Sequence, residues 1–280
     1  MDIYEEIVRL KKDSRASALA TIIQCVGSSP QKHGAKMLVR DDGSLAGTLG
    51  GGCLEGEVVQ TALMTIRDGM PRSTSFELTE RQGGLVCGGK VLVYIEPIFP
   101  EPRLFILGAG HVGKALSKVA AFSGFRVTVA DDREEYANRE NIPDATEILV
   151  HDFDSIFSGI AVDSRASIVV ATRGHNHDLD ALRASLKTDV GYIGLLGSRR
   201  KRALLFKALS EEGFSKTDID RVIIPAGLPI NSVTPEEIAI SIMAQIIQQR
   251  RARAPEGLSS GACSGFIGED GAVKTASSHQ

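Results

Sequence analysis

Leu104-Phe105-Ile106-Leu107-Gly108-Ala109-Gly110-His111-Val112-Gly113 is the stretch on which the fold of this chain turns. Its apolar opening reads as a short strand, the G-x-G-x-x-G spacing permits a tight turn, and an apolar-faced helix follows to about Gly124. Phe125 to Ala130 is the second strand. It ends on Asp131, about twenty residues past the glycines, where a dinucleotide-binding unit places its acceptor for ribose hydroxyls. Strand-like runs return at Ile148 to Val150, Ile168 to Ala171, Tyr192 to Leu195 and Val222 to Ile224, separated by segments that can hold helices. This alternation implies an α/β fold with a parallel, doubly wound, Rossmann-like sheet. There Gly108, Gly110 and Gly113 let the backbone approach a phosphate, and His111 opens a helix whose N-terminal N–H groups attract an anion. Arg133 is an alternative phosphate partner to Asp131, so NAD, NADP and another nucleotide stay open. A Rossmann-like fold that binds no dinucleotide is the alternative, since fold does not dictate function.

Upstream, a polar helix precedes a strand at Ala18 to Val26, and Lys36 to Arg40 and Ser44 to Leu49 flank the hairpin signal Asp42-Gly43. The triple glycine Gly50-Gly51-Gly52 opens a second helix, with Leu54, Val58, Val59, Ala62, Leu63 and Ile66 on one face. Ser73 to Leu78 and Val91 to Ile95 read as strands around a glycine loop containing Cys87 and Gly88. The three prolines of Glu96-Pro97-Ile98-Phe99-Pro100-Glu101-Pro102 interrupt the sheet and mark a boundary. The reading is a small α+β domain over 1–98, a Rossmann-like domain over 103–253, and a Gly/Ser-rich, disordered tail over 254–280. Thr234-Pro235-Glu236-Glu237 is a capping box for the last helix.

The 280 residues carry 32 Lys and Arg against 35 Asp and Glu, a net charge of -3 that argues against a nucleic-acid partner. The acidic start Met1-Asp2-Ile3-Tyr4-Glu5-Glu6 has no apolar core behind it, and no run approaches the ~18 residues of a membrane span. A soluble, cytoplasmic protein without a membrane partner is expected. Its four separated cysteines suit a reducing compartment.

Cys53 stands at a helix start, where N–H dipoles favour a thiolate and hold anions; packing as a small buried hydrophobe is the alternative. Cys53 and Cys87, on two glycine loops, are candidate soft ligands for a metal or sulfur. Thr172-Arg173-Gly174-His175-Asn176-His177-Asp178 falls at the carboxyl edge of the sheet, where it can cap a helix, bind a metal or hydrogen-bond a heterocycle. Gly197-Ser198-Arg199-Arg200-Lys201-Arg202 puts four cations against a helix dipole, which calls for an anion nearby. No catalytic engine is evident: neither a nucleophile elbow, nor a working carboxylate pair, nor a P-loop lysine.

Taken in order, these motifs resemble the xanthine dehydrogenase accessory protein family, XdhC/CoxI, from about residue 17 to 248. The resemblance is carried by Gly27-Ser28-Ser29-Pro30, Gly34-Ala35-Lys36-Met37, Gly50-Gly51-Gly52-Cys53-Leu54-Glu55, Cys87-Gly88-Gly89, the Gly108 to Gly113 fingerprint, Asp131-Asp132-Arg133, Thr172 to His175 and Gly194 to Arg199. It implies a non-catalytic chaperone that binds molybdenum cofactor, a molybdopterin. Such a chaperone protects its cargo while a cysteine desulfurase exchanges an oxo ligand for sulfido, then passes it to an apo-molybdoenzyme such as xanthine dehydrogenase. By the same resemblance Gly50, Gly51, Gly52, Cys53, Glu55, Cys87, Gly88, Gly108, Gly110, His111, Gly113, Asp131, Arg133, Arg173, His175, Ser198 and Arg199 are the candidate binding residues. A homodimer suits a handover protein. Pro229, Asn231 and Gln245 depart from the family pattern. An NAD(P)-dependent oxidoreductase and a nucleotide-sensing interaction module are the alternative functions.

Overall fold

The computed structural model describes residues 2–27, 29, 31–77 and 89–252. Cys87, Gly88, Leu78, Cys263 and the tail over 254–280 lie outside the described residues. Along the chain run α1 (Ile3–Lys12), β1 (Ser17–Val26), β2 (Lys36–Arg40), β3 (Leu45–Gly47), α2 (Gly52–Asp68), β4 (Arg72–Glu77) and β5 (Lys90–Ile98). They are followed by β6 (Arg103–Leu107), α3 (His111–Phe122), β7 (Arg126–Asp131), β8 (Glu147–Val150), β9 (Ser167–Val170) and α4 (His175–Leu186). The last elements are β10 (Tyr192–Leu195), α5 (Arg199–Glu211), α6 (Lys216–Ile219), β11 (Val222–Ile223) and α7 (Pro235–Ala252).

The first five strands form an antiparallel sheet in the order β3-β2-β1-β5-β4. β1 divides its side chains by alternation. Ala18, Ala20 and Ile22 join Leu54, Val58 and Ala62 of α2, while Leu19 meets Leu10 of α1 beneath the other face. The prolines do not stop this sheet where their spacing suggests. β5 continues through Pro97, opposite Ala18, to Ile98, opposite Ser17. β4 begins only at Arg72, opposite Ile95, so past that point β5 is an edge and Pro97 forfeits no ladder bond. The hairpin's return strand is also shorter than its apolar pattern implies, spanning only Leu45–Gly47.

The second sheet is parallel, in the order β11-β10-β9-β6-β7-β8. Numbered from β6, this is the 3-2-1-4-5-6 order of dinucleotide-binding folds, and the order reverses between β6 and β9. β6 is buried on both faces, as a central parallel strand must be. Leu104 and Ile106 pack with Leu116 of α3 and Ile242 and Met243 of α7; Phe105 and Leu107 pack with Leu182 of α4 and Leu205 of α5. Each such side chain contributes about 1.5–3 kcal/mol by leaving water. Among the described residues no helix is long and apolar enough to cross a membrane.

Candidate functional site

The reversal between β6 and β9 opens a crevice at the carboxyl edge of the parallel sheet, and the three fingerprint glycines do three different things there. Gly108 has φ +119° and lies against β9's exit loop: a Cβ built on it would sit 2.2 Å from the Ala171 carbonyl oxygen. A Cβ on Gly113 would fall 1.9 Å from the Gly108 oxygen, so this glycine lets α3 pack on its own entry loop. A Cβ on Gly110 meets nothing within 4 Å. Gly110 is the N-cap of α3 and gives it no side-chain cap, so the first-turn N–H groups open on the crevice beside exposed His111.

Asp131 is buried, and both of its oxygens are engaged. Oδ2 accepts from the Ala109 N–H at 2.8 Å, and Oδ1 accepts from the Arg133 N–H at 3.1 Å and Nε at 2.8 Å. Burial pushes this carboxyl up, but Arg133 and the two backbone donors outweigh it and hold it below the ordinary carboxylate range. Arg133 lies over the Tyr136 ring, 3.7 Å from its centroid. The Ala109 carbonyl in turn accepts from Asn141 Nδ2 at 3.0 Å, so the fingerprint loop is pinned on both sides. In this arrangement Asp131 braces the loop, and a ribose would have to compete with Arg133 for it.

Neighbouring loops close over the reversal point. Arg173 Nη2 donates to Asp132 Oδ2 at 2.7 Å, which ties the loop after β9 to the loop after β7 across β6. α4 starts behind Gly174, whose φ is +82° and whose Cβ position is open, and His175 is exposed in its first turn. Asp178 faces inward, accepting from Thr172 Oγ1 at 2.7 Å and ion-pairing with Lys201. The His-x-His-Asp run therefore does not converge on a metal, and among the described residues no group of three or more His, Cys, Asp or Glu side chains could hold one. Asp178 also supplies part of the anion that the basic run requires. Ser198 caps α5 by accepting from the Lys201 N–H, Arg202 lies over Phe206, and Arg199 and Arg200 are exposed.

The departures noted after β11 have a local purpose. Gln245 Oε1 accepts from Tyr192 Oη at 2.7 Å and from the Gly227 N–H at 2.9 Å, while Nε2 donates to the Gly227 oxygen at 3.2 Å. An ionised glutamate could accept the first two of these bonds but could not donate the third. Asn231 has φ +58°, a conformation asparagine adopts more readily than most residues.

In the N-terminal sheet the triple glycine behaves as its spacing suggests, with φ of +114°, +79° and +70° at Gly50, Gly51 and Gly52. Cβ positions on Gly51 and Gly52 are open, Gly51 provides no side-chain cap, and Cys53 is exposed in the first turn of α2. Glu55 folds back on the loop. Its Oε1 accepts from Thr48 Oγ1 at 2.6 Å and from the N–H groups of Leu49 and Gly51 at 2.8 and 3.0 Å. Burial raises the Glu55 pKa, these donors lower it, and the net direction is down. Two N–H groups are thereby spent on a carboxylate, which leaves the uncapped turn at Gly52 and Cys53 as the open end.

What the sequence does not reveal is the cross-loop pairing: Asp132 with Arg173, and Asp178 with Lys201. Each joins residues from different βα units, and no local pattern announces it.

Comparison with known proteins agrees with this architecture. Residues 104–246 match the family described as XdhC Rossmann domain, and residues 10–77 match the XdhC and CoxI family. YqeB of Escherichia coli strain K12 is 36% identical over 92% of this chain, which spans about half (48%) of that protein's length. A Bacillus subtilis protein named as a probable xanthine dehydrogenase component is 26% identical over 86% of this chain and 96% of its own. The molybdenum cofactor insertion chaperone PaoD of E. coli is 24% identical over 84% of each. A solved structure described as a xanthine dehydrogenase from Bacillus halodurans aligns over 93% of this chain and 98% of its own, at 26% identity and a TM-score of 0.51. By its paired sheets, its fingerprint loop and these matches, the chain belongs to the XdhC and CoxI family.

Proposed function

We propose that this protein is a non-catalytic chaperone that binds molybdenum cofactor and delivers it to an apo-molybdoenzyme of the xanthine dehydrogenase type. The observation that carries the reading is the exposed Cys53 thiol in the uncapped first turn of α2, behind two glycines with open space at their Cβ positions. A helix N-terminus favours an anion such as the pterin phosphate, and a thiolate is a soft ligand suited to molybdenum or an incoming sulfur. The name of the relative PaoD points the same way. By the family resemblance Cys87 and Gly88, outside the described residues, are proposed as further contacts to the cargo, and a cysteine desulfurase is the proposed source of sulfur. Within this reading the chain's residues hold and shield the cargo, and the bond-making chemistry belongs to the desulfurase.

The test is co-expression with a molybdoenzyme in a host that makes the cofactor, followed by assay of pterin and molybdenum on each purified partner. Wild-type protein retains both and raises the client's cofactor content, whereas Cys53→Ser retains neither to the same extent. Pterin-free wild-type protein, with client loading unchanged by its omission, overturns the reading.

A second reading rests on the open Gly110 and the uncapped α3: the carboxyl-edge crevice takes a nucleotide, NAD(P) included. Calorimetry with NADH, NADPH and ATP decides it, and absence of heat with all three removes it.

A further inference from the structure

At the opposite, amino edge of the parallel sheet, a cleft of 450 Å³ lies between the two sheets, in the size range of small-molecule sites. Its floor is Ser167 and Tyr192, the starts of β9 and β10, and its walls are the last turns of α2 and α7 with the proline-rich connection between the sheets. Phe99 is central: it lies 3.6 Å from the Cβ position of Gly69 at the end of α2, and the Arg165 guanidinium sits 5.3 Å from its ring centroid. Ile66 and Ile246 complete an apolar lining broad enough for a flat ring.

The charge around this cleft is unbalanced. Arg67, Arg103, Arg165, Arg250 and Arg251 line it against three carboxylates, Asp68, Glu101 and Asp163. Asp68 is already held by Arg72, and Asp163 by Arg165. Among the described residues Arg67, Arg103, Arg250 and Arg251 form no ion pair. The Arg250 guanidinium lies over the Phe125 ring, 4.9 Å from its centroid, and burial together with the neighbouring charge of Arg251 lowers its pKa. The C-terminal ends of α2 and α7 offset part of this, about half a charge each. Through Ser14, Pro100 and Glu101 the cleft continues into a 270 Å³ groove whose other charges, Lys11, Lys12 and Arg126, are all positive. In a chain of net charge -3 this concentration of cations is local. What remains uncompensated is on the order of two positive charges, close to the charge of a phosphate monoester at neutral pH.

We propose that this inter-sheet cleft is a binding site for a phosphomonoester of a flat heterocycle, with the ring against Phe99 and the phosphate among Arg67, Arg250 and Arg251. It is separate from both the Cys53 loop and the fingerprint crevice, and it stands whether or not the cofactor reading holds. Pterin monophosphates and nucleoside monophosphates share this chemistry.

The experiment titrates the full-length protein with a fluorescent pterin bearing a phosphomonoester side chain, its dephosphorylated form, guanosine monophosphate and inorganic phosphate. At least one ring-bearing phosphate binds about tenfold or more tightly than inorganic phosphate or the dephosphorylated pterin, and which one binds identifies the source. Arg250→Gln/Arg251→Gln weakens that binding by about tenfold or more, and so does the separate surface variant Arg67→Glu. Lys118→Gln, an exposed position on α3 outside both the cleft and the crevice, leaves it unchanged. Failure of both ring-bearing phosphates to bind, or binding lost in Lys118→Gln and kept in the arginine variants, overturns the proposal.

Discussion

Gly113→Ala and Gly110→Ala form a matched pair that separates the folding role of the fingerprint from its exposure to ligand. In Gly113→Ala the new methyl would lie 1.9 Å from the Gly108 carbonyl oxygen and 3.0 Å from its carbonyl carbon, so α3 must withdraw from its loop by about 1 Å. That loop is anchored by the Gly108 N–H donating to the Ala130 oxygen at 2.7 Å and by the Ala109 N–H donating to Asp131, and withdrawal strains both bonds. Overpacking together with a weakened hydrogen bond costs about 3 kcal/mol, equivalent to a fall of about 6–12 °C in Tm. In Gly110→Ala the φ of −72° already suits alanine and the methyl meets nothing. Reduced unfolded-state entropy and a slightly poorer N-cap nearly cancel, so stability stays within about 0.5 kcal/mol. Thermal unfolding followed by circular dichroism at fixed pH and salt measures the pair. A Gly113→Ala protein melting within about 2 °C of wild type, or a Gly110→Ala protein as destabilised as Gly113→Ala, refutes the division of labour.

Asp131→Asn leaves the Ala109 N–H with an acceptor but strips the charge from the Arg133 pair; a loss of about 2 kcal/mol in urea unfolding is expected, and an unchanged midpoint contradicts its bracing role. Gln245→Glu removes the donor to the Gly227 oxygen and sets a carboxylate against Tyr192 Oη, for an expected loss of about 1–2 kcal/mol at neutral pH by the same assay. Glu6, buried between Arg9 and Arg40, has its pKa lowered to about 2 by their hydrogen bonds. The unfolded chain therefore binds more protons in the acid range, and the stability from this cluster, whole at neutral pH, fades as pH falls from about 4.5 toward 2. The melting-temperature gap between wild type and Glu6→Gln should narrow across that window; a gap independent of pH contradicts the assignment.

The Rossmann-like sheet is legible in the chain because its evidence is local. Strand length, apolar runs and the fingerprint spacing are set within a few residues, and backbone sterics act over the same range. The helix that opens at Gly50-Gly51-Gly52 and the capping box in which the Glu237 N–H donates to Thr234 Oγ1 are readable for that reason. Pro97 reads as a sheet breaker yet sits within β5, because its tolerance depends on where β4 begins, a fact about a different segment.

Side-chain commitment belongs to the tertiary structure alone. Asp131 sits at the right distance from the glycines, yet only the folded geometry turns it onto Ala109 and Arg133, and only that geometry lays Glu55 over the loop it follows. Arg67, Arg103 and Arg250 are scattered along the chain, and it is the packing of α2, β6 and α7 around one cleft that brings them together. Periodicity along the chain specifies which elements form and which face they bury. The pairing of charges between elements depends on crossings tens of residues apart, where no repeat along the chain carries the information.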